Sequence, residues 1–165
     1  MALEIERRFL IKNDNWKEFI TKKIFIEQGY LSKSLDDWII RIRFTGKDFK
    51  IALKKHIESF TNFEFEYSIP RKDGETIMSN LSNTIKKERF FLEIEKKSWI
   101  VDCFKENNYP LKIAEIELCN EEEDLNLPSF ISKEITGFTH YSNFNLAKNP
   151  FSKWTDDYLT SMKNN

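Results

Sequence analysis

Apolar and polar residues alternate with a period of two through most of the chain, the rhythm of half-buried strands. Runs of this kind predict strands over residues 3–11, 27–32, 38–44, 49–56, 63–69, 85–94, 99–104 and 112–118. Eight strands so spaced suit a barrel or a sandwich. Thr45-Gly46-Lys47-Asp48 has turn chemistry for a hairpin between two of them. Helical signals are fewer. Asp14 is placed to cap a helix carrying Trp16, Phe19 and Ile20. Ile77, Met78 and Leu81 have helical spacing within residues 75–84, and Phe144, Leu146 and Ala147 within 142–148. Glu121-Glu122-Glu123-Asp124 reads as the acidic first turn of a short helix ending near Pro128.

Alternation also sorts the charges. Side chains at i and i+2 of a strand share a face, roughly 6.6 Å apart. Glu4, Glu6 and Arg8 share one face of the first strand, with Leu3, Ile5 and Phe9 on the other. Arg41 and Arg43 oppose Ile40, Ile42 and Phe44. Lys50 and Lys54 oppose Phe49, Ile51 and Leu53. Glu64 and Glu66 oppose Phe63, Phe65 and Tyr67; Lys87 and Arg89 oppose Phe90 and Leu92; Glu115 and Glu117 oppose Ala114, Ile116 and Leu118.

A polar-out antiparallel sheet explains any one of these strands. It explains the set less well, because like charges come in pairs within a strand, and soluble surfaces intersperse signs. The alternative is an inverted barrel. Its apolar face lies outside under helices, and its charged face lines a lumen. Paired carboxylates there need a cation between them, and clustered Arg and Lys need an anion. A polyanion carried with a hard divalent metal meets both needs.

Composition narrows the classes. The 165 residues are 40% hydrophobic with 15 Phe, enough for one cored domain, taken as residues 1–150 with a tail over 151–165 docked by Phe151, Trp154 and Tyr158. With 26 Lys and Arg against 27 Asp and Glu, the whole molecule is no electrostatic partner for nucleic acid or an anionic membrane. Cys103 and Cys119 form no metal-type pair and read as packed thiols in a reducing compartment. The charged start and the lack of a long apolar run predict a cytoplasmic protein. His56 and His140 have no Ser or Cys at a recognised spacing, so a nucleophilic triad is unsupported. Glu93 and Glu95, with Lys96-Lys97, read as a solvated hairpin end.

Glu4-Ile5-Glu6-Arg7-Arg8 resembles the N-terminal E-x-E-x-K signature of the CYTH, or triphosphate tunnel, superfamily. The likeness continues in order. Gln28-Gly29-Tyr30-Leu31 resembles its QGYL, Arg41-Ile42-Arg43 its R-x-R, and Leu53-Lys54 its L-K. Glu64-Phe65-Glu66, Lys87-Glu88-Arg89-Phe90, Asp102 and Glu115-Ile116-Glu117 follow in family order, closed by Thr136 to Leu146 with Tyr141 and Asn143. The resemblance spans about residues 3–147. It implies an α+β, mainly β fold: an eight-stranded antiparallel barrel, closed or nearly so, with a charged lumen and flanking helices. Two positions depart from the family pattern. Arg8 stands where Lys is usual, keeping the charge but unable to release its proton near neutral pH. His140 stands where Arg is usual, which makes anion affinity there pH-dependent.

The resemblance implies a metal-dependent triphosphatase acting on inorganic tripolyphosphate, with nucleoside or thiamine triphosphates as further candidates. Glu4, Glu6, Asp102, Glu115 and Glu117 are the implied ligands of Mg2+ or Mn2+. Arg8, Arg41, Arg43, Lys54, Lys87, Arg89 and His140 are the implied triphosphate contacts. Lys87, crowded by cations, is a candidate to help deprotonate the attacking water. Glu64 is a candidate to position that water, and Tyr30 to orient water or phosphate. The expected partner is a triphosphate-containing small molecule, with no nucleic acid and no membrane; the oligomeric state stays open, a homodimer included. A class IV adenylate cyclase shares the implied tunnel, and a polyphosphate-binding module without turnover is the third reading.

Overall fold

The computed structural model describes residues 3–32, 38–58 and 61–156. Nine strands and two helices follow in the order β1 (Leu3–Ile11), β2 (Ile20–Tyr30), β3 (Ile39–Phe44), β4 (Phe49–Glu58), β5 (Thr61–Ile69), α1 (Arg71–Ser79), β6 (Thr84–Ile94), β7 (Lys97–Phe104), β8 (Lys112–Glu117), β9 (Ile131–Glu134) and α2 (Asn143–Lys148). Every pairing is antiparallel. The sheet runs β5-β4-β3-β2-β6-β7-β8-β1-β9, and β5 closes onto β1 through Leu3↔Phe63 and Ile5↔Thr61. Eight strands therefore form a closed barrel, with β9 as an extra strand beside the end of β1.

The inverted lining is present. Phe9, Leu92, Trp99, Val101, Ala114 and Ile116 face outward into one buried core, roofed by Trp16, Leu118, Phe130 and Ile131. Each large apolar side chain buried here contributes about 1.5–3 kcal/mol. The roof differs from the helical cover expected. It is a 3-10 turn over Asn15–Phe19 and the irregular segment after β8. Lys17 N–H reaches back to the Asp14 carbonyl, and the chain enters β2 directly, so the predicted helix is only this turn. The acidic run 121–124 is likewise no helix. Glu123 accepts from the Cys119 amide and pairs with Lys97, and that local bonding holds a turn instead.

A second core stops one end of the barrel. Ile85, Phe104 and Ile113 point inward there and meet Leu111, Ile135 and Leu146, with Tyr141, Phe151 and Trp154 packed against them. The α2 helix begins where predicted, its Asn145 amide donating to the Ser142 hydroxyl cap. Phe151 and Trp154 dock as expected, and Tyr158 lies outside the described residues. The Thr45–Asp48 turn forms, with Gly46 at φ +82°, a left-handed conformation suited to glycine. No described helix is long and apolar enough to cross a membrane.

Helix α1 rests on the outer face of β3 and β4, its Gly74 against Phe49. A Cβ at Gly74 would stand 2.2 Å from Phe49 Cγ and 2.6 Å from its Cβ, too close for the ring to swing clear. Gly74→Ala is expected to lower the urea midpoint, although alanine favours a helix by about 1 kcal/mol. A raised midpoint would show that α1 does not seat on Phe49.

Candidate functional site

Inside the barrel the charges organise by height along the axis. Deepest, beside the apolar stopper, Asp102 is fully buried and accepts from Lys87 Nζ at 2.5 Å and from Arg89 at 2.7 and 2.8 Å. Arg89 also donates to Glu115 at 2.9 Å, and Glu115 accepts from Arg8 Nε at 3.1 Å. Five ionised side chains from β7, β6, β8 and β1 thus form one continuous chain. Burial opposes the charge on Asp102, but the two cations beside it hold its carboxyl well below the usual range. Burial lowers the Lys87 ammonium to about 8.

This arrangement repositions several expected residues. Asp102 takes three donors from two cations, Arg89 on Oδ1 and both Arg89 and Lys87 on Oδ2. Lys87 is fully buried, held by Asp102 and the Asn143 side-chain oxygen. Neither it nor Arg89, Arg43 or His140 is among the side chains lining the cavity described next. Glu117 stands across from Glu6 at the exposed end of β8.

A cavity of about 350 Å3 lies between the ends of β3, β4 and β5 and the segment 136–144. Its charged lining is Glu6, Arg8, Arg41 and Lys54. Tyr30, Asn62, Ser142 and Asn143 add neutral polar groups, and Ile39, Phe138 and Phe144 an apolar side. Arg41 donates to Glu64 at 2.8 Å and reaches Glu66 at 3.5 Å. Lys54 pairs with Glu4, with Glu6 at 3.3 Å and with Glu64 at 3.7 Å. Three carboxylates from β1 and β5 therefore share one ammonium. Burial and the neighbouring Glu6 charge push Glu4 up to about 7. Glu6 is drawn down to about 2, despite burial, by Lys54 and Arg8.

Arg8 Nη2 and Arg41 Nε are buried with no hydrogen-bond partner among the described residues. Both belong to guanidinium groups at the cavity. Arg43 is lowered to about 10 by burial and the nearby Arg41 and Arg89, with Glu66 3.6 Å away as its compensating acid. These cations are short of acceptors, the condition an anion relieves.

Several roles escaped the sequence reading. The Arg8 side chain donates to the Tyr141 carbonyl at 3.1 Å, and the Arg8 amide to the Thr136 hydroxyl at 3.0 Å, so β1 ties down the segment that walls the cavity. Asn62 lies on the inward face one alternation before Glu64; extending the predicted strand by one residue would have found it. Gln28 is fully buried between Tyr30 and Arg43.

No protein-family model matches the chain. The chain is 32% identical over 158 residues to an inorganic triphosphatase of Acetivibrio thermocellus, covering 94% of this chain and all of that protein. It superimposes on the crystal structure of the inorganic triphosphatase NE1496 with a TM-score of 0.66 at 25% identity, over 89% of this chain and 95% of that one. HpAC1 from Hippeastrum, an adenylyl cyclase candidate with a dominant triphosphatase activity, matches with a TM-score of 0.56 over 74% of this chain and 81% of its own. At 14% identity that last likeness concerns the fold alone.

The buried ion-pair chain gives stability a signature. Asp102 has a folded pKa below its ordinary 3.8, so its contribution is present above about pH 4 and is lost as pH falls. Asp102→Asn is expected to cost about 3–5 kcal/mol near neutral pH, because it leaves the buried Lys87 without a counter-charge and Arg89 with Glu115 alone. In urea titrations the gap between parent and variant should narrow below about pH 4. A gap independent of pH would remove the carboxylate charge from the account.

Proposed function

The chain belongs to the CYTH family of triphosphate tunnel enzymes, and on that footing we propose that it is a metal-dependent triphosphatase that hydrolyses inorganic tripolyphosphate to pyrophosphate and phosphate. The observation that carries the substrate class is the cavity wall, where Arg8, Arg41 and Lys54 converge and two guanidinium nitrogens lack acceptors. A linear polyanion of closely spaced oxygens answers that array better than a single carboxylate does.

Charge balance argues for the metal. Arg41 and Lys54 are already matched by Glu64, Glu66, Glu4 and Glu6. A polyanion entering alone would stack negative charge on those carboxylates. It enters favourably only with cations of its own. Among the described residues no group of three or more Asp, Glu, His or Cys is already gathered as a metal cage. The reason is visible at Lys54, whose ammonium occupies the point on which Glu4, Glu6 and Glu64 converge. The oxygen-only donor set fits Mg2+ or Mn2+, and the strained Glu4 carboxyl, pushed up to about 7, is the group a cation would settle. Glu4, Glu6 and Glu64 are the residues that would hold it. When bound, the ion neutralises phosphate oxygens and acidifies water.

The protein's own part is alignment. Arg41 and Arg8 fix the phosphate oxygens, and their charge offsets what accumulates as the phosphoanhydride bond breaks. Glu64, ion-paired to Arg41 and Lys54, would help to position the attacking water. Segment 136–144 screens this side of the cavity from solvent. Asp102 and Glu115 hold Arg89, Lys87 and Arg8 in place, a supporting role in preference to ligation.

Phosphate release from tripolyphosphate is expected with Mg2+ or Mn2+ and to cease when the metal is chelated. Arg41→Ala should lower kcat/KM at least about 100-fold, the scale of losing one charge-stabilising donor. The pair Glu4→Gln and Glu6→Gln together should remove metal-dependent turnover. Parental activity in that double variant would exclude these carboxylates from the metal site.

A further inference from the structure

Gln28 is fully buried, and it bonds two residues around the cavity without lining the cavity itself. Arg43 Nε donates to Gln28 Oε1 at 3.3 Å, and Gln28 Nε2 donates to Tyr30 Oη at 2.6 Å. The direction of this relay is dictated by chemistry. A guanidinium has only hydrogens to offer, so it must face the amide oxygen. The amide NH2 is thereby turned to the phenol. Having taken an N–H on its oxygen, the phenol must place its own hydrogen elsewhere. Among the described residues the Tyr30 hydroxyl is bonded to no acceptor. Its ring packs edge-on against Phe144, 5.4 Å between centroids, which fixes the hydroxyl at the cavity wall.

We infer that Gln28 is a positioning residue that commits Tyr30 to donate its hydroxyl hydrogen into the cavity, to an oxygen of the bound triphosphate. This rests on the triphosphate reading above and adds a neutral donor to the charged wall. Burial keeps the phenol pKa up at about 12, so the hydrogen stays in place through the neutral range. Arg43 acts at one remove: by fixing the amide, it sets the polarity of a bond it does not make. The arrangement also gives a reason for glutamine at this position. Glutamate would accept from Arg43 and Tyr30 alike, drawing the hydroxyl hydrogen away from the cavity.

The test is a double-variant cycle read by calorimetric tripolyphosphate affinity, with KM and kcat alongside. Gln28→Glu and Tyr30→Phe are each expected to weaken binding by about tenfold or more, the scale of one hydrogen bond to a charged group. In the Tyr30→Phe background, Gln28→Glu should then cost almost nothing further. An added negative charge or a packing defect would weaken binding equally with and without the phenol hydroxyl, and equal losses overturn the inference. Gln28→Met, which ends the relay without adding charge, guards against a Gln28→Glu chain that fails to fold. Its loss should also vanish in the Tyr30→Phe background, and persistence overturns the proposal. Thermal unfolding of each variant identifies those that fold. A parent that binds tripolyphosphate without cleaving it refutes the hydrolase assignment and leaves this relay standing. A parent that binds none refutes both.

Discussion

Arg8, Glu115, Arg89, Asp102 and Lys87 run in alternating sign across four strands, in an interior where an unmatched charge is costly. The barrel can carry a charged lining only because every member of that row has a neighbour of opposite sign. Such a row is no great source of stability, since desolvation consumes most of the attraction. Its effect is on geometry. Arg89 is gripped by two acids and Asp102 by two cations, so neither can shift without exposing a partner. Register between β6, β7 and β8 is pinned by charge as well as by the apolar core outside.

The upper part of the lumen is organised differently. Lys54 serves three carboxylates, and Arg41 two. Contacts there are shared and uneven, and some guanidinium hydrogens lack acceptors. The two layers meet at Arg8, which pairs with Glu115 below while its Nη2 lacks an acceptor at the cavity. They place carboxylates in opposite surroundings: Asp102 has a cation on each oxygen, while Glu4 shares the Lys54 ammonium with two other acids.

Much of this was legible from alternation alone. Period two placed Glu4, Glu6, Arg8, Arg41 and Lys54 on inward faces, and the like-sign pairing argued for a lumen. Alternation says which face a side chain takes but not how far along the barrel axis it lies. For that reason Lys87 and Asp102 read from the sequence on a par with Arg41, although both are fully buried and neither is among the side chains that line the cavity. The strand β9 escaped notice because Ile-Ser-Lys-Glu is short and carries almost no apolar alternation. The run at Glu121 looked helical because acids suit a helix N-terminus, yet Lys97, distant in sequence, claimed one of them. Gln28 was matched within its motif but given no role, since an amide reveals its role only through its neighbours.

Residues 135–154 supply part of both the cavity wall and the stopper, and they reach groups on β1 and β6. Arg8 is 133 positions from Tyr141, and Lys87 is 56 from Asn143. On a ribosome the first strand emerges long before its partners exist, and its buried charges must stay hydrated until then. Contacts of such long range slow folding and make it cooperative. The cavity therefore lacks one wall until the last part of the chain has folded back onto β1.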